Sequence, residues 1–540
     1  MPSQGKFKRQ LSLLDLTFIG FGAIFGSGWL FAASHVGSLA GPAGILSWVI
    51  GGFAILLLGL VYCELGAAIP RAGGVVRYPV YSHGPLIGYL IGFITLIAYS
   101  SLIAIEVEAA RQYAAAWLPG LTQKGSSLPT VTGWFVQFGI LCIFFLLNYF
   151  SVKTFAKSNT IVTIFKFFVP ALTIIVLLTQ LKTANFSIHG FAPSGSFGIE
   201  SAISTGGVIF AYLGLTPIVS VASEAKKPQR TIPIALILSV VLSTLVYVLL
   251  QMAFLGSVPT HMLTEGWSGI DKKFSLPFKD IASVLGLGWL TYFIVSDAII
   301  SPSGTGNIYM STTPRIVYGW ARSGTLFKIF GKVDEKSGIP RPAVWLSFLL
   351  AIFWTLPFPS WDTLISVVSA ALILSYAFAP ISAAAFRRNA RDLPRPFYLK
   401  GMAILGPISF IVASLIVYWS GWQTISWLLG SQIVMLIIYL FFKKFVPTKT
   451  VNFAQQIKSS LWLVFYYAAM ILISYLGLFG GTEILKQPWD LIMIVSVSLI
   501  TYYWGSYSAL PKAIFDDDDV ETTELVKASK DVAYNVKMKG

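Results

Sequence analysis

Long apolar runs, each of roughly 18 to 25 residues, recur along this chain, separated by shorter segments that carry most of its charged residues. A helix rises about 1.5 Å per residue, so a run of that length predicts a helix crossing the roughly 30 Å hydrocarbon core of a bilayer. About fourteen runs can be read, at 13–36, 43–66, 85–114, 131–150, 159–181, 201–223, 231–255, 284–311, 342–357, 362–384, 403–420, 424–442, 459–479 and 488–508, numbered here as spans 1 to 14. Two of them are interrupted by backbone-permissive sequence. Span 1 contains Gly22-Ala23-Ile24-Phe25-Gly26-Ser27-Gly28, and span 6 contains Gly206-Gly207 followed by Ala211-Tyr212-Leu213-Gly214-Leu215-Thr216-Pro217. The bilayer interior offers no water to free amides and carbonyls, so a broken helix is tolerated only where protein or a polar ligand satisfies them. Breaks that recur five spans apart predict a repeat-built secondary transporter whose ligand sits near the midplane.

Composition agrees with a polytopic membrane protein. Of 540 residues, 55% are apolar, 15% aromatic and only 11% charged, which is too little polar surface for a soluble protein of this size. A net charge of +15 by itself suggests nucleic acid, but the positions of the basic residues point elsewhere. With the N-terminus inside, thirty of the 38 Lys and Arg residues fall in the N-terminal segment, the even-numbered connections or the C-terminal tail. That is the positive-inside bias, and it predicts cytoplasmic termini and a bilayer rather than nucleic acid as partner. Trp117, Trp134, Trp361, Trp419, Trp422 and Trp489 fall near predicted outer ends and suit an aromatic belt. Span 1 follows Lys6, Lys8 and Arg9 as a signal peptide would, but it is longer and lacks a small-residue cleavage site, so it reads as a retained helix. Cys63 and Cys142 are isolated in apolar spans and read as packing residues. His35, His83, His189 and His261 have no metal-ligand or nucleophile–base spacing, and the glycine-rich stretches lack the Lys-Ser/Thr ending of a phosphate loop. No cofactor, metal or ATP drive is expected. The tail from Pro511, with Asp516 to Asp519, reads as a solvated cytoplasmic segment.

The end of span 2 reads Tyr62-Cys63-Glu64-Leu65-Gly66, followed by Pro70, Gly73-Gly74 and Tyr78. After span 6 come Glu224, Pro228, Gln229, Arg230 and Pro233, and after span 8 Arg315-Ile316-Val317-Tyr318, Ala321-Arg322-Ser323-Gly324 and Pro340. Three motifs in this order resemble the amino acid–polyamine–organocation superfamily. With Gly-Ala-Ile-Phe-Gly-Ser in span 1, Arg77 to Gly84 and Thr205-Gly206-Gly207, nearly the whole chain resembles the bacterial aspartate–proton symporters of that superfamily. The resemblance implies an all-α polytopic membrane protein of LeuT type. Spans 1 to 5 and 6 to 10 would then form a five-plus-five inverted repeat, with four additional helices. The corresponding divisions are a cytoplasmic segment 1–12, a transport core 13–395, peripheral spans 396–509 and a tail 510–540. Two departures bear on selectivity: Gly28-Trp29-Leu30 replaces the usual glycine-isoleucine-phenylalanine, and Thr216 stands where an acidic residue is often found.

The breaks suit an amino acid. A half-helix beginning near Gly26, Ser27 and Gly28 presents free amides and a positive dipole end to a carboxylate. Carbonyls near Ala23 and Ile24, and near Ile209 and Phe210, are acceptors for the ammonium, with Ala211, Leu213 and Gly214 completing the second break. The competing reading is that Gly22 and Gly26 merely let helices pack. Phe210, Tyr212 and Leu213 form a candidate apolar lid.

Lys166 lies about nine residues into span 5, where a lysine costs about 2.5–3.5 kcal/mol. It either gains and loses a proton during transport, as the resemblance implies for this position, or snorkels toward the surface. Asp297, mid-way along span 8, has four open roles: partner to the substrate ammonium, partner to Lys166, a proton-coupling group, or a hydrogen bond to Ser301, Ser303 or Thr305. Glu106 and Glu108 lie toward the outer end of span 3, with Glu108 and Arg111 spaced as an i, i+3 pair. They read as a structural ion pair, an outer vestibule or a proton entry, and Glu64 as a structural or gating anchor near the cytoplasmic end of span 2.

The expected function is proton-coupled uptake of L-aspartate or a close acidic analogue across a bacterial inner membrane. The carrier would work by alternating access as a monomer or weak oligomer. The alternatives are an exchanger of the same fold or, from another class, a membrane enzyme or nutrient sensor. No clustered catalytic groups mark an enzyme.

Overall fold

The computed structural model describes residues 11–69, 71, 73–150, 152–220, 225–334, 337–442 and 451–515. Pro70 and Glu224 of the motifs, the Lys6 to Arg9 flank and Asp516 to Asp519 lie outside these residues. Among the described residues the regular structure is helical, with two isolated β-bridges, Leu11 to Ala225 and Thr122 to Pro129. Ten helical stretches among the described residues are long and apolar enough to cross a membrane, and Leu13–Ile24, Phe165–Leu178 and Arg341–Trp354 are shorter apolar helices. Each predicted span falls on one or more helices, and Pro85–Ala114 and Val131–Phe150 have the predicted bounds.

Local chemistry sets several of the helix ends. Ser12 and Asp15 form a reciprocal capping box at the start of span 1, and Ser360 and Thr363 do the same for span 10. Gly84, at φ +98°, turns the chain into Pro85 at the first position of span 3. Span 1 consists of two helices, Leu13–Ile24 and Gly28–Ala40. Span 6 consists of Gly195–Ser204, Val208–Ala211 and Leu215–Ser220. Both breaks therefore form where the glycines fall.

Two elements differ from the sequence expectation. The connection after span 2 contains a buried helix, Gly74–His83, which a hydropathy window misses because it is short, polar and interrupted by Pro79. Span 8 runs from Gly288 to Arg322, well beyond the predicted end at 311. Its Ser, Thr, Gly and Pro residues lower its hydropathy, but it is buried by protein, packing most extensively on span 3. Spans 3, 6 and 10 are almost wholly enclosed, whereas spans 4 and 12 keep most of their surface outward.

One polar clamp fastens the end of span 2 to the end of span 10. Arg387 donates from Nε to Glu64 Oε1 at 2.8 Å and from its terminal nitrogen to Oε2, while the Leu399 amide donates to Oε2 at 2.9 Å. Arg395 Nε stands 3.7 Å from the same carboxylate. The two-point geometry makes this a strong pair, and removing one partner leaves a poorly solvated charge. Glu64→Ala is expected to cost roughly 3 kcal/mol, read as a lower melting temperature in detergent. Arg387→Lys should lose part of the same stability because a lysine cannot bond at two points. Unchanged melting in both variants would show the clamp to be idle.

Candidate functional site

In an unbroken helix the Gly22 carbonyl would accept the Gly26 amide. That amide instead turns to the Ile24 carbonyl at 3.0 Å. Gly22 is served by two side chains: Lys166 Nζ donates to its oxygen at 2.6 Å and Thr305 Oγ1 at 3.2 Å, with Lys166 also donating to Thr305 at 2.5 Å. The Ser27 amide, which would have served Ala23, donates to Glu106 Oε2 at 2.9 Å. The Tyr247 hydroxyl lies 3.1 Å from the Ile24 carbonyl and 2.9 Å from that of Ala211, so its one proton is shared between the two breaks. Tyr309 donates to the Leu213 carbonyl at 2.9 Å.

The breaks also touch directly. A Cβ on Gly28 would stand 2.6 Å from Ala211 Cβ, and one on Gly214 would stand 2.5 Å from the Ile24 nitrogen. The structure thus brings Ala23, Ile24, Gly26, Ser27 and Gly28 together with Ala211, Leu213 and Gly214. Phe210 meets Trp361 edge-on at 5.6 Å, and the Trp361 indole donates to Ser27 Oγ at 3.0 Å.

Several expectations change. Lys166 does not snorkel: it is 1% exposed and points at the break. Glu106 is no part of an ion pair with Arg111; it caps the second half-helix of span 1, Gly28–Ala40, and a Cβ on Gly26 would meet its Oε1. Glu108 alone pairs with Arg111, at 3.1 Å, and Arg111 also holds Thr122 and the Ser127 carbonyl. The Ile24, Ile209 and Phe210 carbonyls assigned to a ligand ammonium accept protein donors in this conformation. Ile24 accepts from both the Gly26 amide and the Tyr247 hydroxyl, so a ligand ammonium has to displace a protein donor there. Tyr212 is no lid: its hydroxyl donates to the Trp48 carbonyl on span 2. Asp297 bonds Ser301, whereas Ser303 bonds its own helix at Ile299.

The break is closed on both sides. Toward the end of span 1 that begins span 2, Trp361 stacks on Phe31 at 4.8 Å and on His35 at 5.6 Å, and His35 Nε2 lies 3.0 Å from Asp362. On the opposite side, Thr216 bonds the Tyr376 hydroxyl at 3.1 Å and Tyr62 packs edge-on against Tyr376. A groove of about 280 Å³ between spans 1, 5 and 7 is lined by Phe21, Phe167, Pro170, Ile174 and other apolar side chains, with Lys166 its only charged residue. It offers no paired donors and acceptors for an amino acid, so the breaks remain the candidate site.

Tyr247, Tyr309 and Trp361 were not singled out from the sequence as partners of the breaks. A tyrosine deep within an apolar span, away from the interfacial belt, is the signal that would have found Tyr247, whereas Tyr309 lies two residues from the predicted end of span 8 and becomes interior only because the helix runs on to Arg322.

The sequence model of the amino acid permease family matches residues 11–474. The chain is 61% identical to the aspartate-proton symporter of Bacillus subtilis, over 96% of this chain and 100% of the relative. It is 38% identical to the glutamate/serine transporter AimA of the same organism, over 97% of this chain and 98% of that one. The branched-chain amino acid permease BcaP, also of Bacillus subtilis, is 26% identical over 81% of this chain and 93% of its own length.

The direct contact of the breaks has a testable cost. Gly28→Ala and Gly214→Ala each place a methyl group within 2.7 Å of backbone atoms of the opposite break, whereas Gly139→Ala meets nothing within 4 Å. The first two are expected to lower the melting temperature and the yield of monodisperse protein, and the third to match the parent. Equal behaviour of all three in size exclusion and melting would contradict the close approach.

Proposed function

This chain belongs to the amino acid permease family, and from that premise we propose that it takes up L-aspartate, or a close acidic analogue, together with protons. Its relatives are transporters rather than enzymes, and it is a multi-pass membrane protein. The observation that carries the proposal is the seating of Lys166 on the Gly22 carbonyl at the span 1 break. An amine held there feels the same break that receives the substrate, so its proton and the substrate influence each other's binding.

Glu106 supplies the other half of the reading. Its carboxylate occupies the Ser27 amide at the start of the outer half-helix, the seat suited to a substrate carboxylate. Substrate binding displaces Glu106 from that amide, and a proton on either Glu106 or Lys166 alters how readily it leaves. The side-chain carboxylate of aspartate then has Ser27 Oγ and the Trp361 indole as donors. Acidic substrates are supported by the names of the two most similar relatives described above, aspartate-proton symporter and glutamate/serine transporter.

The architecture proposed for this cycle has fourteen crossings and a five-plus-five inverted repeat over 13–395, with both termini cytoplasmic in a bacterial inner membrane. The meeting of the span 1 and span 6 breaks supports the repeat, and the positions of the basic residues support the orientation.

In proteoliposomes, labelled aspartate should accumulate under an inward proton gradient and be indifferent to replacing sodium by potassium. Lys166→Ala should lose gradient-driven accumulation while keeping part of its substrate counterflow. Counterflow in the parent without any response to the pH gradient would identify an exchanger, and full accumulation by the alanine variant would remove Lys166 from coupling.

A further inference from the structure

We propose that Asp297 is the outer relay through which the proton reaches Lys166. The inference rests on the coupling role of Lys166 and on the orientation above, which sets the N-terminal part of span 8 toward the outer face.

Asp297, Ser301 and Thr305 are spaced i, i+4 and i+8, so they share one face of the helix Gly288–Arg322. All three are buried, at 0%, 0% and 1% exposure. Thr305 is the end that touches Lys166. At the other end, Ser301 donates to Asp297 Oδ1 at 2.6 Å, and Asp297 Oδ2 is buried without a hydrogen-bond partner.

Glu108 and Asp271 also each leave one buried oxygen without a hydrogen bond, but the other oxygen of each meets a basic side chain, Arg111 at 3.1 Å and His35 at 3.8 Å, whereas among the described residues Asp297 is bonded by the Ser301 hydroxyl alone. Asp490 and Glu64 leave neither oxygen bare. Buried Asp490 engages both oxygens, one with the Tyr418 hydroxyl at 2.8 Å and one with the Leu491 amide at 2.8 Å. Glu64 likewise uses both, with Arg387 and Leu399. Leaving a carboxylate oxygen bare inside a bilayer is costly, so the arrangement suits a group that takes up and releases a proton.

The titratable groups around Asp297 come from several elements. Lys166 of span 5 and Tyr113 of span 3 lie within its electrostatic reach, and Glu106 of span 3 lies within that of Lys166. Tyr113 also senses Asp280 of the outer helix Pro277–Val284, where Asp280 is engaged by Lys279 at 3.0 Å. Span 4 carries no charged residue, and His35 of span 1 is held by Asp362 and Asp271.

The transfer balances without any further reactant. A proton from the outer side binds Oδ2 and makes the carboxyl neutral. Its passage breaks that O–H bond and forms an N–H bond on a neutral Lys166 amine, leaving a carboxylate and an ammonium that later releases its proton inward. The stripe spans about 12 Å by helix rise. The step from Ser301 to Thr305 is one turn, about 5–6 Å between Cβ atoms, which one bridging water covers.

The test compares Asp297→Asn, Asp297→Glu and Ser301→Ala with the parent in proteoliposomes, measuring labelled aspartate counterflow and pH-gradient-driven accumulation in the same vesicles. Asp297→Asn is expected to keep counterflow within about twofold and to lose accumulation by about tenfold or more. Asp297→Glu should restore much of the accumulation, and Ser301→Ala should slow it. Asp297→Asn accumulating like the parent overturns the relay, and so does equal loss of counterflow and accumulation, which marks a structural role. A parent that shows counterflow but no response to the pH gradient overturns the coupling reading itself and is read before any variant.

Discussion

Everything at the centre of this molecule follows from one constraint: a helix broken inside a bilayer must find partners for the backbone groups it frees. An unsatisfied peptide group there costs several kcal/mol. The Gly22 carbonyl finds Lys166 and Thr305, the Ser27 amide finds Glu106, and the Ile24 and Ala211 carbonyls share Tyr247. The lysine has its own cost of burial, about 2.5–3.5 kcal/mol at mid-helix, and the carbonyl and hydroxyl that receive it offset that cost. The break and the charge therefore stabilise one another.

This mutual dependence also explains why the partners come from so many elements. Lys166 is on span 5, Thr305 and Tyr309 on span 8, Glu106 on span 3 and Tyr247 on span 7. Each of these spans is hydrogen-bonded to a break, so tilting span 1 alters bonds on spans 3, 5, 7 and 8, and tilting span 6 alters bonds on spans 7 and 8. Substrate binding can act on the whole bundle through these few exchanges, because the packed core between them moves as rigid pieces rather than deforming continuously.

The sequence made some of this legible and concealed the rest for physical reasons. Gly26, Ser27, Gly28 and Gly214 stood out because backbone freedom inside an apolar run is conspicuous, and the structure brings them to one place. Lys166 stood out because a charge in a span is rare, but the choice between snorkelling and seating depended on where span 1 lay, which no local pattern encodes. Glu106 was read with its neighbour Glu108 because they are two residues apart. On a helix that spacing sends them to different faces, one to Arg111 and one to Ser27. Span 8 was cut short because hydropathy rewards contact with lipid, and span 8 is covered by protein. The buried helix Gly74–His83 was missed for the same reason.

Beyond the closures at the breaks themselves, the polar fastenings at the two ends of the bundle are unequal in kind, and that inequality bears on the direction of transport. One end is fastened by Glu64 with a two-point arginine contact, a second arginine and a backbone amide, all around a carboxylate that is 3% exposed at its side chain. The other is fastened by His35 between Asp362 at 3.0 Å and Asp271 at 3.8 Å, with side chains 25% to 46% exposed. Exposed pairs contribute about 0–1 kcal/mol, much less than the loss of one partner from a buried two-point pair. On the proposed orientation, with the termini inside, the weaker fastening would face outward and the stronger one inward. An empty carrier so oriented would open more readily to the outside, and the energy of binding substrate and proton at the breaks would be available to loosen the firmer inner clamp.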